Sequence, residues 1–264
     1  MDIISYFLIS LLLFFVAMLC SNIGSGGGLL YVPIMLTLTP YSKESIVMLS
    51  LLLTLVTVLP SLLNHCKAGY IERRLIIVLT ITTIVGEVIG CFINIAISKT
   101  VFTISFTVLL LFVLTKIILD VLQGKKDIDK DDKVLFTPGR KTIAAGISIA
   151  SGISSSLYGI SGGILNVPVM RYLLGRNFRA CVGTSFLIIA LTNPIGIATY
   201  VYLGVPIPSG LVVLICLGTP IVLLGSYFGS KWGLKYLKTS TVLVLFMLLL
   251  ISATVKMLID IVLL

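Results

Sequence analysis

The segments GSGGGLLYVPIM (residues 24–35) and GISGGILNVPVM (residues 159–170) are two copies of one glycine-rich sequence. They lie 159 − 24 = 135 residues apart and are identical at seven of their twelve positions. The match continues at Val47/Val182, Ser50/Ser185, Thr57/Thr192 and Gly69/Gly204 and, after a short insertion, at Gly86/Gly225 and Gly90/Gly229. A repeated register of this length indicates a duplicated half-protein.

The rest of the chain has the composition of a membrane protein. Of its 264 residues, 58% are hydrophobic and 11% are charged, and the mean hydropathy is +1.18, which excludes an ordinary soluble or disordered domain. A membrane-spanning helix needs about 20 predominantly apolar residues. Residues 29–39 and 164–174 cover only about half of a bilayer at about 1.5 Å per residue, so we predict two half-helices there. Longer candidates lie at 3–22, 45–64, 75–97, 101–122, 142–158, 180–203, 209–230 and 239–264.

The charges in the loops indicate how the chain crosses the bilayer. Loop 65–74 is basic, whereas its second-half counterpart 204–208 is uncharged, and loop 171–179 is more basic than its first-half counterpart. Because basic loops face the cytoplasm, corresponding loops of the two halves should lie on opposite sides, and the repeats are predicted to be inverted. The net charge of +9 therefore reflects membrane topology, and we expect no nucleic-acid partner.

The polar segment 123–141 is the predicted cytoplasmic linker between the repeats 1–122 and 142–264. It contains six basic and four acidic residues. Each repeat should contain about five helices, including a Gly-rich interrupted helical hairpin, which makes an all-α polytopic membrane protein with 8 to 10 membrane segments. Both termini are then predicted outside a multi-pass protein of the cell membrane. The first apolar stretch lacks a basic start, so we expect a retained helix and not a signal peptide.

The two glycine-rich segments are the predicted functional site. Glycine allows the chain to turn inside the membrane, where irregular backbone must be buried in protein or line a water-filled cavity. Each turn precedes a short helix whose first N–H groups lack helical partners and lie at the positive end of the helix dipole. Two such ends, brought together by inverted symmetry, would bind a small anion. The predicted site residues are Asn22, Gly24, Ser25, Gly26, Gly27, Gly28, Gly159, Ser161, Gly162, Gly163 and Asn166, with Ser154, Ser155 and Ser156 as further neutral donors.

The two segments resemble the hallmark motifs of the TauE/SafE family of membrane permeases, also called sulfite exporters. The resemblance rests on residues 24–35 and on GISSSLYGISGGILNVPVM (152–170), and it extends over essentially the whole chain, including YVYLG at 200–204. It implies transport of sulfur-containing oxyanions or organosulfonates such as sulfite or sulfoacetate. Two departures from the family pattern are expected to affect selectivity: His65 and Cys66 replace a frequent aromatic pair, and Ser161 replaces a frequent glycine.

Glu87 lies near the middle of a predicted span. A lone ionised carboxylate is costly at that depth and normally faces the protein interior or water. Glu87 is therefore a candidate for proton or sodium coupling. A structural ion pair with Lys116 or Lys256 is an equally acceptable alternative. Lys256 and Asp260 are four residues apart and can pair within their own helix.

Two other functions fit parts of the sequence. The segment Gly159–Gly162 resembles the nucleophile segment of a serine hydrolase with Ser161 as nucleophile, although the single histidine, His65, lies in the other half. A membrane scaffold that moves no solute would tolerate bulky residues at Gly28 and Gly163.

The sequence contains no ATP-binding, cofactor or metal-ligand motif, so the predicted mechanism is secondary transport of a small anion across the lipid bilayer. In a cell with a negative interior, expelling a monovalent anion gains about 2.3 kcal/mol per 100 mV, which favours export. Uptake would require coupling to protons or sodium. The sequence makes no prediction of oligomeric state.

Overall fold

The chain is helical throughout the part that the structure describes. The computed structural model describes residues 3–24, 26–71, 73–122, 137–236 and 239–262. Within these ranges there are ten α-helices and no strand. A π-helical turn, Val169–Leu173, extends the seventh helix. The helices are α1 Ile3–Cys20, α2 Gly28–Leu38, α3 Lys43–Lys67, α4 Arg73–Ala96, α5 Lys99–Leu122, α6 Pro138–Tyr158, α7 Gly163–Pro168, α8 Phe178–Tyr202, α9 Ser209–Tyr236 and α10 Thr239–Val262.

Six helices in the described part are long and apolar enough to cross a bilayer: α3, α4, α5, α8, α9 and α10. Helices α1 and α2 are shorter but also apolar. Large apolar side chains such as Phe7, Ile77 and Val108 are exposed on the outer faces of the bundle. So extensive an apolar surface fits lipid and not water. The prediction of an all-helical, multi-pass membrane protein is confirmed at this level.

The predicted half-helices are both helical. Residues 29–39 correspond to α2, and residues 164–174 correspond to α7 with its π-helical turn. The π turn follows Pro168, which has no N–H to donate and whose ring crowds the preceding turn. The matching Pro33 lies inside α2 without such a change. The α7 region thus ends in a π-helical turn, which is wider than the α-helical end of α2.

Helix α6 begins within the last residues of the predicted linker 123–141. Residues 123–136 lie outside the described part, and α6 already begins at Pro138, with Thr137 as its N-cap residue. Proline is favoured in the first helical turn because its fixed φ suits the helix and its missing N–H has no helical partner to lose there. Arg140 and Lys141 therefore lie in the first turn of α6, although their charge assigned them to the linker in the sequence analysis.

Helices of one half pack mainly on helices of the other half. Helix α4 packs along α6, and α1 packs along α9; α3 contacts both α8 and α9, and α4 also contacts α8. Helix α5 packs against α10. The fully buried side chains of Leu51 and Phe186 place α3 and α8 in the interior of the bundle.

Glycines allow the α4–α6 contact to be very close. A Cβ added to Gly86 would clash with the carbonyl oxygen of Ile149, and a Cβ on Gly90 would lie 2.5 Å from the carbonyl oxygen of Ile153. Small residues are common where membrane helices approach closely, because the backbones themselves come into contact. The interface is therefore intolerant of side chains at these positions.

Glycines also allow α1 and α9 to approach closely. A Cβ on Gly225 would lie 2.5 Å from the Phe14 carbonyl oxygen, and one on Gly229 would clash with the Met18 carbonyl oxygen. Gly225 and Gly229 match Gly86 and Gly90 in the repeated sequence. The repeated glycines thus serve equivalent contacts in the two halves.

Candidate functional site

The two glycine-rich turns contact each other through their backbones. A Cβ added to Gly28, the first residue of α2, would clash with the carbonyl oxygen of Gly159 and lie 2.8 Å from the Cα of Ile160. A Cβ added to Gly163, the first residue of α7, would clash with the carbonyl oxygen of Gly24. The start of each short helix therefore lies directly against the opposite turn.

Both turns depend on backbone conformations that favour glycine. Gly24, Gly27 and Gly159 have φ values of +84°, +98° and +69°. Ser161 has a φ of +50° and is the one described non-glycine residue with positive φ. Its hydroxyl donates to the Ile160 carbonyl at 2.6 Å, and such local bonding helps a polar residue to adopt the left-handed region.

Two matched serines hold the turns in place. The Ser50 hydroxyl on α3 donates to the Gly159 carbonyl at 2.7 Å, and the Ser185 hydroxyl on α8 donates to the Gly24 carbonyl at 3.0 Å. Both bonds are buried. Each long interior helix thus fixes the turn that belongs to the other half.

Within the described part, neither short helix has a side-chain cap at its start. The N-cap residues are Gly27 for α2 and Gly162 for α7, and neither position has a side-chain hydrogen bond to the helix. The first N–H groups of a helix need an external acceptor. The side chains that would normally supply that acceptor are absent at both caps, which leaves this role open to a ligand.

Two buried polar atoms beside the turns have no hydrogen-bond partner. The methyl group of Thr54 on α3 lies beside Gly26, and the Thr54 hydroxyl oxygen is unpaired. The Asn166 side chain on α7 lies beside Gly162, and its amide nitrogen is unpaired although Ser148 donates to its amide oxygen at 3.1 Å. Buried polar groups are almost always satisfied. Other buried atoms of the described part, such as the Thr83 hydroxyl oxygen and the Asn193 amide oxygen, are also unpaired, so it is their position beside the turns that distinguishes Thr54 and Asn166.

Other residues of the predicted site lie elsewhere or are already engaged. Ser25 lies outside the described residues. The Asn22 amide donates to the Gly229 carbonyl at 3.0 Å, so this side chain belongs to the α1–α9 contact. Ser154 donates to the Ala150 carbonyl of its own helix. The Asn22 amide and the Ser154 hydroxyl are thus already engaged in hydrogen bonds with residues outside the turns.

Ser155 and Ser156 contact Glu87 instead of the turns. Their hydroxyls donate to the two carboxylate oxygens at 2.7 and 2.6 Å, and Thr192 on α8 donates at 3.3 Å. Glu87 is fully buried. The alternative of an ion pair with Lys116 or Lys256 is wrong, because Glu87 is surrounded by hydroxyls. Lys256 pairs with Asp260 at 2.5 Å within α10, as the sequence predicted, and the Lys116 ammonium lies over the ring of Tyr172.

The structure does not support serine hydrolysis at Ser161. The candidate base, His65, has its Nδ1 atom 2.9 Å from the Ser61 carbonyl of its own helix and packs against the Phe186 ring. Neither contact orients the imidazole on Ser161, which a nucleophilic serine would require. Among the residues that the structure describes, no cluster of His, Cys, Asp or Glu could hold a metal ion.

Ser50, Thr54 and Ser185 are not among the predicted anion-binding residues, although Thr54 and Ser185 were expected to line the transport route. Ser50 and Ser185 are a matched pair in the repeat, and that identity was a usable signal for a shared role. Thr54 has no matching polar residue, since Ile189 stands in the other half, and its place on a predicted span indicated the route and not the anion site. Its role becomes visible only when α3 is packed against Gly26.

Comparison with known proteins gives one match. The family model described as Sulfite exporter TauE/SafE matches residues 9–257, nearly the whole chain. No curated protein and no solved structure matches the chain.

Proposed function

The chain belongs to the TauE/SafE sulfite exporter family of membrane transporters, and from this we propose that it carries small sulfur-containing oxyanions or organosulfonates across the cell membrane by a secondary mechanism. The protein is a permease and not an enzyme. The substrate class follows from the family, whereas the place of binding is argued from the contacts between the glycine-rich turns. Export is the proposed direction when the anion accumulates inside the cell.

We propose that the two halves are inverted repeats related by a two-fold axis in the membrane plane. The support is that contacts between halves occur in matched pairs: Gly28 with Gly159 and Gly163 with Gly24, or Ser50 with Gly159 and Ser185 with Gly24. A two-fold axis generates such reciprocal contacts. The difference in charge between corresponding loops, of which one is basic and the other is not, supports an axis parallel to the membrane.

The proposed anion site lies where the starts of α2 and α7 face the opposite turn. The observation that carries the proposal is the pair of unsatisfied buried donors, Thr54 and Asn166, beside these uncapped helix starts. Oxygens of a sulfite or sulfonate group would accept from them and from the first N–H groups of both helices. Neutral donors hold an anion without a fixed counter-charge, which allows release. The proposed site comprises Gly26, Gly27, Gly28, Thr54, Ser161, Gly162, Gly163 and Asn166, with Gly24 and Gly159 shaping the turns.

Transport then requires the site to open alternately to each side. In carriers built from inverted repeats, part of the bundle rocks around a fixed site near the midplane. Ser50 and Ser185 connect the two turns to α3 and α8, so movement of these helices would be transmitted to the site. The proposed topology has both termini outside and segment 123–141 in the cytoplasm.

Counterflow in proteoliposomes tests the proposed function. Vesicles loaded with unlabelled sulfite, thiosulfate or ethanesulfonate should accumulate the same labelled anion transiently, because a carrier exchanges solute across the membrane without an energy source. Vesicles containing Gly28→Val protein are the matched control. If no anion of this panel exchanges, the proposed substrate class is wrong.

Replacing Thr54 with valine should weaken anion binding without destabilising the protein. Valine has nearly the same shape, and the hydroxyl that is removed makes no hydrogen bond within the protein. A hydrogen bond to a charged group contributes about 1.5–3 kcal/mol, so the dissociation constant should rise roughly 10- to 100-fold. The measurement is binding of sulfite or ethanesulfonate to purified protein, together with thermal unfolding.

The matched control for this prediction is Thr107→Val. Thr107 is a buried threonine of α5 whose hydroxyl donates to the Thr103 carbonyl of the same helix. This variant should bind anions as the wild type does. Unchanged binding in Thr54→Val would place the anion away from α3 and contradict the proposed site.

A further inference from the structure

The environment of Glu87 is unusual for a carboxylate inside a membrane protein. Glu87 is fully buried and is held by hydroxyls from two other helices, Ser155 and Ser156 of α6 and Thr192 of α8. A carboxylate at such depth normally has a functional role, because its burial is costly. The mechanism of anion binding described so far does not use it.

The groups around Glu87 contain no compensating positive charge in the described part of the chain. Titratable neighbours are the Cys91 thiol on its own helix and the Tyr200 hydroxyl on α8, which donates to the Ser156 carbonyl at 2.5 Å. No described lysine, arginine or histidine forms an ion pair with it; the groups that reach its oxygens are the three hydroxyls. Neutralising this carboxylate therefore requires a small cation.

We propose that Glu87 binds one proton together with the transported anion, so that the carrier works as a proton–anion symporter. This inference rests on the proposed function, because it assigns the coupling step of that same carrier. The proton is taken up by a carboxylate oxygen from water on one side and released to water on the other side, with no other bond made or broken.

The link between Glu87 and the anion site runs through the last turn of α6. Ser156, which donates to Glu87, is three residues before Gly159, a distance of about 4.5 Å along a helix axis. Gly159 is the turn residue whose carbonyl contacts the start of α2. An ionised Glu87 would therefore repel an anion at the turns across a low-dielectric interior. A protonated Glu87 would not, so the proton and the anion favour each other's binding.

Close packing favours a proton over a sodium ion. A Cβ added to Gly196 would clash with one Glu87 carboxylate oxygen and lie 3.1 Å from the Ser156 hydroxyl oxygen. The backbone of α8 thus already occupies the space beside that oxygen. A metal ion would need several oxygen ligands arranged around it at this point, whereas a proton needs only one acceptor atom.

The stoichiometry follows from a difference between the halves. Glu87 corresponds to Ser226 in the repeated sequence, since 87 + 139 = 226, the offset that also relates Gly86 to Gly225. Ser226 donates to the Thr57 carbonyl and contacts the Ser61 hydroxyl at 2.8 Å. One half thus has a carboxylate where the other has a hydroxyl, which gives one proton for each transport cycle. For a monovalent anion the moving pair carries no net charge, so the membrane potential does not favour export under symport. Net export then requires an outward anion gradient larger than the opposing pH gradient.

The test uses proteoliposomes and labelled ethanesulfonate, the anion of a strong acid that does not itself take up the proton. An acidic outside medium should drive accumulation of label inside, with alkalinisation of the medium recorded by a pH dye in a one-to-one ratio. A potential imposed with potassium and valinomycin should change the rate little. Exchange should weaken by up to about tenfold per pH unit once Glu87 ionises.

The Glu87→Gln variant replaces the carboxyl with a neutral group of the same shape. We expect exchange that no longer depends on pH and no accumulation driven by the pH gradient. Asp260→Asn is the matched control, because Asp260 is half-buried and pairs with Lys256 on α10. This control should keep both pH dependence and accumulation.

The outcomes separate the two proposals. Absence of ethanesulfonate exchange in the wild type would count against the proposed function, and the symport proposal would fall with it. Exchange without a response to the pH gradient, accumulation driven by a sodium gradient, or normal coupling in Glu87→Gln would overturn symport and leave the carrier intact. If Glu87→Gln fails to fold, the proton flux of the wild type alone decides the question.

Discussion

Replacing Gly28 or Gly163 with valine should abolish anion exchange. In each case the added side chain would clash with the carbonyl oxygen of the opposite turn, Gly159 for Gly28 and Gly24 for Gly163. Neither neighbour is a flexible side chain, so the two short helices must move apart. We expect a loss of at least about 100-fold in exchange, which corresponds to roughly 2.8 kcal/mol, because the donors that face the anion would no longer converge.

The control for these variants is Gly146→Val in α6. A Cβ on Gly146 meets no atom within 4 Å, so the same substitution should leave exchange close to that of the wild type. Expression and monodispersity in detergent show whether each variant inserts. Full exchange by Gly28→Val and Gly163→Val would contradict the proposed site and favour a scaffold that moves no solute.

Replacing Gly225 with valine should destabilise the whole bundle. Gly225 lies on α9, and a Cβ there would be 2.5 Å from the Phe14 carbonyl oxygen and 3.0 Å from the Phe14 ring. Valine would separate α1 from α9 along their contact. Overpacking of this kind costs about 1–3 kcal/mol or more, and the lost contact between helices adds to it. The measurement is the thermal unfolding midpoint of purified protein in detergent.

Gly218 provides a control on the same helix. The nearest atom to a Cβ on Gly218 is the Ser10 hydroxyl oxygen at 3.7 Å, an ordinary contact distance. Gly218→Val should therefore unfold at a temperature much closer to that of the wild type. Equal unfolding temperatures for the two variants would show that the α1–α9 contact is not limiting for stability.

Much of the helical architecture was predictable from the sequence, because the membrane imposes simple rules. Apolar length predicted the six long spans α3, α4, α5, α8, α9 and α10, whereas α1 and α6, predicted as spans at 3–22 and 142–158, are not among the described helices that are long and apolar enough to cross. The two short stretches predicted α2 and the α7 region almost to the residue. The glycines of the turns could be recognised from the sequence because few other residue types adopt left-handed backbone. Gly24, Gly27 and Gly159 have that conformation in the structure. Local rules of this kind need no knowledge of which helices touch.

The partners of the polar side chains could not be predicted in the same way. Ser155 and Ser156 were expected to face the anion, but they donate to Glu87, because α6 packs along α4. Asn22 was expected at the turns, but its amide donates to Gly229 across the α1–α9 contact. Both differences in hydrogen-bond partner depend on which helix of the other half lies nearest. That information is not contained in the periodicity of a single segment.

The close glycine contacts of α1 with α9 and of α4 with α6 determine which helices can move together as rigid bodies. Helices α1 and α6, which precede the two glycine-rich turns, each pack along a long helix from the other half of the chain. We therefore expect each part that moves as a rigid body during transport to combine helices from both halves of the chain. A chain cut between residues 123 and 136 should keep these contacts between the halves, and two halves produced as separate chains should reassemble into a working carrier.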